Sequence, residues 1–213
     1  MVSAKRVHHP LFARFYAVLT QHESAQTHEH RRELLSGLAG RVLEVGAGAG
    51  TNFEHYPPEV TEVIAVEPER FLRERARVAA SRAAVAITVL DGTAERLPVE
   101  DGYRDAAVAS LMLCSVSDQA VALAELQRVL RPQGELRFYE HVLSHDSRIA
   151  RTQHFVDRTF WPKAFGGCHT ARDTPAAIEA AGFEIEQERR MWVAPIPFVV
   201  PVATHVLGAA RRR

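Results

Sequence analysis

The 213-residue chain reads as an α/β protein. The expected architecture is a doubly wound, mostly parallel sheet of seven strands with an antiparallel C-terminal hairpin. Three observations predict it. Strand-like and helix-like segments alternate at least four times between residues 42 and 142. The first strand runs into glycines at alternate positions, Gly46, Gly48 and Gly50. About twenty residues beyond Gly46, a second strand ends in Glu67-Pro68. Strands joined through helices run parallel, and ligands of such sheets lie outside the strands' carboxyl ends.

Residues 1–39 are expected to form a helical lid over the front of the domain. Phe12, Phe15, Tyr16 and Leu19 share one face at helical spacing, either as a packing stripe or as aromatics closing over a ligand. Leu34, Leu35 and Leu38 lead to Gly40, a plausible helix stop. Residues 42–45 form a short buried strand with Glu44 as its one polar member. The glycines then let the backbone turn sharply and approach a ligand with no Cβ in the way. A helix beginning near Thr51 would aim its free N–H groups at that ligand.

Residues 61–66 give a second strand, and Pro68 keeps Glu67 extended at its end. A carboxylate there can accept hydrogen bonds from both hydroxyls of a ribose; an ordinary surface glutamate is the alternative. Residues 69–80 read as an amphipathic helix, 85–90 as a third strand, and Asp91 to Pro98 as a polar turn. The apolar run 105–113 suits a central strand buried on both faces. Ser117 is the expected cap of a helix carrying Leu123, Leu126 and Leu130, which Pro132 and Gly134 end. Residues 135–142 form a fifth strand whose end carries Glu140 and His141. Glu67, Thr93, Ala94, Ser110 and His141 all fall at strand ends and should converge on one crevice.

Between residues 143 and 173 the alternation lapses. His154, Phe155, Phe160, Trp161 and Phe165 suggest an aromatic helical insertion near an acceptor site, followed by Gly166-Gly167-Cys168-His169. Thr174-Pro175 opens a short helix that Gly182 closes. Residues 183–188 and 191–200 read as the final hairpin, with Arg189-Arg190 at its turn. The apolar run 193–210 is interrupted by Pro195, Pro197 and Pro201, which makes it a proline-broken strand and terminal helix rather than a membrane span.

One domain, 1–213, accommodates all of this. Apolar residues are 46% and charged residues 24%, as in an ordinary globular protein. Basic and acidic residues number 26 each, so no net field attracts nucleic acid. The tail Arg211-Arg212-Arg213 permits no more than weak peripheral contact with an anionic surface. Two cysteines and no secretory signal point to a reducing, cytoplasmic setting. Oligomeric state leaves no trace in the sequence.

With Glu44-Val-Gly-Ala-Gly-Ala-Gly50, the post-strand Glu67 and the turn Gly92-Thr-Ala-Glu-Arg-Leu-Pro98, residues 40–190 resemble the class I S-adenosylmethionine-dependent methyltransferases. Ser115-Val116, Glu140-His141-Val142, and Phe165-x-Gly-Cys168 followed by Thr170-x-Arg172 resemble the small methyltransferase-like 7 group, whose members methylate thiols. That group typically carries an N-terminal hydrophobic anchor, which this sequence is not expected to share. The resemblance implies a Rossmann-like sheet and S-adenosylmethionine as cofactor. It implies that Gly46, Gly48 and Gly50 pass under the methionine part, with Glu44 binding its ammonium directly or through water. Glu67 would hold the ribose hydroxyls, Thr93 and Ala94 would frame the adenine, and Leu111 would lie near the methyl-bearing sulfur.

Methyl transfer from a sulfonium needs alignment and a deprotonated nucleophile. His141 and His169 are the candidate bases, and Arg172 the candidate electrostatic helper; either histidine could instead serve packing. Cys168 beside His169 is a poor nucleophile–base pair, because chain neighbours rarely face each other productively. No metal site is expected, since spacing shows no further ligands for that pair. A nicotinamide-dependent oxidoreductase and a non-catalytic nucleotide-binding module are the rival readings. The first would want a third glycine where Thr51 stands.

Overall fold

The computed structural model describes residues 13–14, 17–18, 20, 24–193 and 197–213. Phe12, Phe15, Tyr16, Leu19 and Pro195, singled out above, lie outside the described residues. Helix α1 (Ala25–Leu35) is capped by Ser24, whose hydroxyl accepts the N–H of Thr27. In chain order there follow β1 (Gly40–Val45), a 3-10 turn (Phe53–His55), β2 (Val60–Val66), α2 (Arg70–Ala80), β3 (Ile87–Leu90) and β4 (Arg104–Ser110). Then come α3 (Gln119–Val129), β5 (Leu130–His141), α4 (Ser147–Thr159), α5 (Trp161–Ala164), α6 (Thr174–Ala180), β6 (Phe183–Trp192), a second 3-10 turn (Pro197–Val202) and β7 (Thr204–Arg212).

The seven strands form one sheet in the order β3-β2-β1-β4-β5-β7-β6. The first five are parallel, and β7 runs antiparallel between β5 and β6. Order reverses between β1 and β4, so the switch point lies at the ends of those two strands. Alternate residues of each strand enter opposite cores. Leu43, Val45, Ala107, Ala109 and Phe138 pack with Leu123, Leu126 and Phe183 on one face. Val42, Val63, Ala106, Val108 and Tyr139 pack with Leu34, Leu35 and Phe53 on the other. Upstream, Ala13 and Ala17 pack on Leu72 beside the cavity described below.

Several expectations are corrected. The final hairpin pairs β6 with β7, so Arg189 and Arg190 lie mid-strand opposite Leu207 and Val206 rather than in a turn. The terminal run ends in a strand, not a helix: residues 203–210 are covered on both faces, and from Val206 to Ala210 the strand is continuously apolar, as a buried helix would be. Arg211 belongs to that strand and pairs with Glu186, so the basic tail is partly structural. Asp118 caps α3, because the hydroxyl and N–H of Ser117 are both given to Glu95. The apolar run after Asp105 stops being strand at Ser110, where Leu111 turns to φ +55°.

Candidate active site

A cavity of about 360 Å³ opens at the switch point. Its floor is the glycine turn. Gly46 and Gly48 have φ of +69° and +57°, a region costly to residues with a Cβ. A Cβ on Gly46 would stand 2.6 Å from that of Met112. Gly50, at φ +83°, packs instead on Phe53 and Ala79 and lies outside the cavity wall. The turn is thus a cradle that backbone alone can form, and it fits a ligand approaching closely.

Glu67 closes one side. It is 5% exposed; its carboxylate accepts the N–H of Gly48 (2.8 Å) and of Glu69 (2.8 Å). Arg73 donates to the carbonyls of Glu67 and Pro68 and fixes the loop. Burial pushes the Glu67 carboxyl up to about 7, against the two N–H bonds that favour its charged form. Each oxygen keeps a lone pair for a further donor, the requirement for grasping a vicinal diol. Thr93 and Ala94 form the next wall, in a turn closed by a bridge between Thr93 and Arg96. Leu111 and Met112 follow from the end of β4.

Glu44 does not reach the cavity. Its buried carboxylate accepts Asn52 Nδ2 (2.9 Å) and the Tyr56 hydroxyl (2.7 Å), and Arg31 holds the Asn52 carbonyl oxygen at 2.7 Å. Burial raises Glu44 to about 7. Here the carboxylate ties β1 to the segment that follows the glycine turn.

The far end of the cavity is built by two loops, residues 111–117 after β4 and residues 166–169 after α5. Glu140, fully buried at the end of β5, accepts the N–H groups of Met112 (2.9 Å), Leu113 (2.9 Å) and Cys114 (3.3 Å). Arg172 donates to the carbonyls of Leu113 (2.6 Å) and Val116 (2.7 Å). Both charged groups therefore face the first loop's backbone, and neither lines the cavity. Gly166 and Gly167, at φ +62° and +88°, swing the second loop against Ser115.

The two candidate histidines diverge. His169 lines the cavity, its Nδ1 3.1 Å from Asp157 Oδ2, while Asp157 Oδ1 accepts the N–H of Thr170. His141 is 7% exposed and lies behind the cavity, its Nε2 3.1 Å from Cys168 Sγ. Sequence reasoning missed Asp157, whose place one helix upstream of His169 leaves no local signal. It also missed the company of Cys168: Cys114 and His141 bring ligand-capable atoms within 4.8 Å of it and of each other. Among the aromatics of the insertion, Phe155 and Phe160 are exposed, and Trp161 is buried in a stack on Phe165.

Comparison with known proteins gives this geometry a context. Residues 43–138 match the family model described as a methyltransferase domain. The chain is 35% identical to the thiol S-methyltransferase TMT1B of Mus musculus over 213 residues, covering 93% of this chain and 85% of that protein. It is 34% identical to the thiol S-methyltransferase TMT1A of Homo sapiens over 185 residues, covering 81% and 75% respectively. The fold matches the N-methyltransferase NodS of Bradyrhizobium japonicum, solved with S-adenosyl-L-homocysteine. The TM-score is 0.68 at 16% identity, with 90% of this chain and 89% of that one covered. Nothing in these likenesses supports the nicotinamide reading.

Proposed function

This chain belongs to the class I S-adenosylmethionine-dependent methyltransferases, and we propose that it methylates a small, apolar thiol with His169 as general base. One observation carries the reading. A single cavity is bounded by the glycine cradle and Glu67 at one end, and by a carboxylate-oriented histidine at the other. The curated relatives, named for thiol S-methylation, support the acceptor class.

Bound S-adenosylmethionine supplies a methyl group on a sulfonium, open to in-line displacement by a nucleophile. Gly46 and Gly48 would pass beneath its methionine portion, Glu67 would accept the ribose hydroxyls, and Thr93 and Ala94 would frame the base. Leu111 would flank the sulfur. Glu44 and Gly50 would act from outside the cavity, by holding the turn in shape.

A free thiol has a pKa of about 8.5 and is mostly protonated near neutrality. Asp157 accepts the Nδ1–H of His169, which leaves the lone pair on Nε2 to take the thiol proton. Arg172 would favour the thiolate from a distance, its donors being spent on carbonyls. Ala13, Leu72, Met112 and Val116 give the cavity apolar surface, which suits an apolar acceptor.

Helices α4 and α5 would act as an insertion that carries Asp157 and presents the His169 loop. No helix among the described residues is long and apolar enough to cross a membrane. The two unpaired cysteines suit a reducing compartment such as the cytoplasm. Zero net charge argues against a nucleic-acid acceptor.

The test is titration with S-adenosylhomocysteine, followed by a panel of thiol, amine and phenol acceptors read by mass. Binding and a methylated thiol are expected. Turnover confined to amines or phenols would overturn the acceptor class, and turnover surviving intact in His169→Ala would overturn the base.

A further inference from the structure

The chain has two cysteines, 54 positions apart, and the fold delivers both to one histidine. Cys114 comes from the loop after β4, His141 from the end of β5, and Cys168 from the glycine loop after α5. All three are buried, and their Sγ and Nε2 atoms fall within 4.8 Å of one another. We propose that Cys114, His141 and Cys168 bind a thiophilic d10 cation of the zinc(II) type.

Distances support it. Zinc–sulfur bonds of about 2.3 Å and zinc–nitrogen bonds of about 2.05 Å, at tetrahedral angles, place sulfur about 3.6 Å from nitrogen and about 3.8 Å from sulfur. Cys168 Sγ lies 3.1 Å from His141 Nε2, about 0.5 Å short of that separation, and Cys114 Sγ lies within 4.8 Å of both atoms. Two thiolates and a neutral imidazole offset a divalent charge, which is the arrangement a buried site requires. Two protons leave the thiols for solvent as the metal enters.

The surroundings are those of a ligand shell. Trp161 Nε1 donates to Cys168 Sγ at 3.3 Å, a bond that a thiolate receives better than a thiol. His141 Nδ1 is buried with no hydrogen-bond partner among the described residues, so with Nε2 on the metal its N–H would call for a bridging water.

The consequence reaches the cavity. Cys114 and Cys168 belong to its two far-end loops, already joined by the bond from His169 N–H to the Cys114 carbonyl at 2.8 Å. A shared ion would fasten those loops together and fix the wall that carries His169.

A second cluster, His28, Glu54 and His55, sits on the surface and could also take a divalent ion, so the test separates the two. The full chain, reduced with a phosphine, is titrated with zinc against a chromophoric chelator. One zinc per chain is expected, with affinity lowered at least about 100-fold in Cys168→Ser and unchanged in His28→Ala. Retained S-adenosylhomocysteine binding certifies the fold of each variant. Cobalt(II) added to the wild type should give a near-ultraviolet thiolate charge-transfer band, a reading that needs no variant to fold. Absence of that band, or zinc affinity lost in His28→Ala and kept in Cys168→Ser, overturns the proposal. Neither result depends on which acceptor is methylated.

Discussion

Asp157 and His169 form a hydrogen-bonded pair at the cavity wall, Oδ2 to Nδ1 at 3.1 Å, with the second carboxylate oxygen anchored on Thr170 N–H. The anchoring sets the imidazole plane from behind, as an orienting carboxylate does for a general base. Asp157→Asn can present its amide to Nδ1 in either sense and loses the charge that stabilises a protonated ring. We expect kcat to fall about 10- to 100-fold, with S-adenosylhomocysteine affinity unchanged. A fall in cofactor affinity of the same size as the fall in kcat would assign Asp157 to structure instead.

Glu67 grips the glycine turn and is offered as the ribose acid, so it should govern cofactor binding alone. Glu67→Ala is expected to weaken S-adenosylhomocysteine binding by at least about 10-fold, or 1.4 kcal/mol, with little change in the acceptor KM at saturating cofactor. In the wild type, calorimetry across a pH series should show affinity falling as pH drops below about 7, since the protonated carboxyl loses acceptor capacity. A flat pH profile would remove this assignment.

Glu44 should leave its mark on stability. Burial raises its folded pKa to about 7, from the ordinary carboxyl value of 4.5. Its contribution is therefore fully present below pH 4.5 and is lost as pH rises through 7. The full span corresponds to about 3 kcal/mol. Glu44→Gln keeps the shape without the titration, so denaturant curves between those pH values should be flatter for the variant than for the wild type.

Gly46 has no room for a methyl group. Gly46→Ala combines a left-handed backbone with a Cβ 2.6 Å from that of Met112. The strain is about 1–2 kcal/mol and the overpacking about 1–3 kcal/mol. Thermal unfolding should report a destabilisation of that order together with lost cofactor binding. A variant of wild-type stability and affinity would show that the turn is not the cradle described.

Glu140 holds three N–H groups of the loop after β4, and among the described residues no basic side chain is hydrogen-bonded to it. Each charge-assisted bond is worth about 1.5–3 kcal/mol, and burial of the charge sets against them a cost of several kcal/mol. Glu140→Ala should leave three buried N–H groups unmet, lower the melting temperature and raise the acceptor KM more than the cofactor Kd. Urea unfolding and steady-state kinetics would check both.

Much of the fold was legible in the sequence because it is written in short-range periodicity. The alternation of strands and helices, the glycines after β1 and the acid after β2 each need only neighbours to be recognised. The cavity end bounded by Glu67, Thr93 and Ala94 was legible for the same reason: its residues follow directly on predicted strands. The antiparallel C-terminal hairpin was legible, but its last strand was placed too early, because a strand covered on both faces has no alternation to mark its bounds.

What the tertiary structure alone decided is which distant side chains meet. Asp157 finds His169 across a short helix and its loop, Cys114 and Cys168 each find His141 across 27 positions of chain, and Glu140 reaches back to residues 112–114. Sequence determined the scaffold, since periodicity and turn chemistry act between near neighbours. The pairing of charges and sulfurs depends on where the loops at the carboxyl ends of parallel strands are brought together, and that is set by strand order and loop geometry.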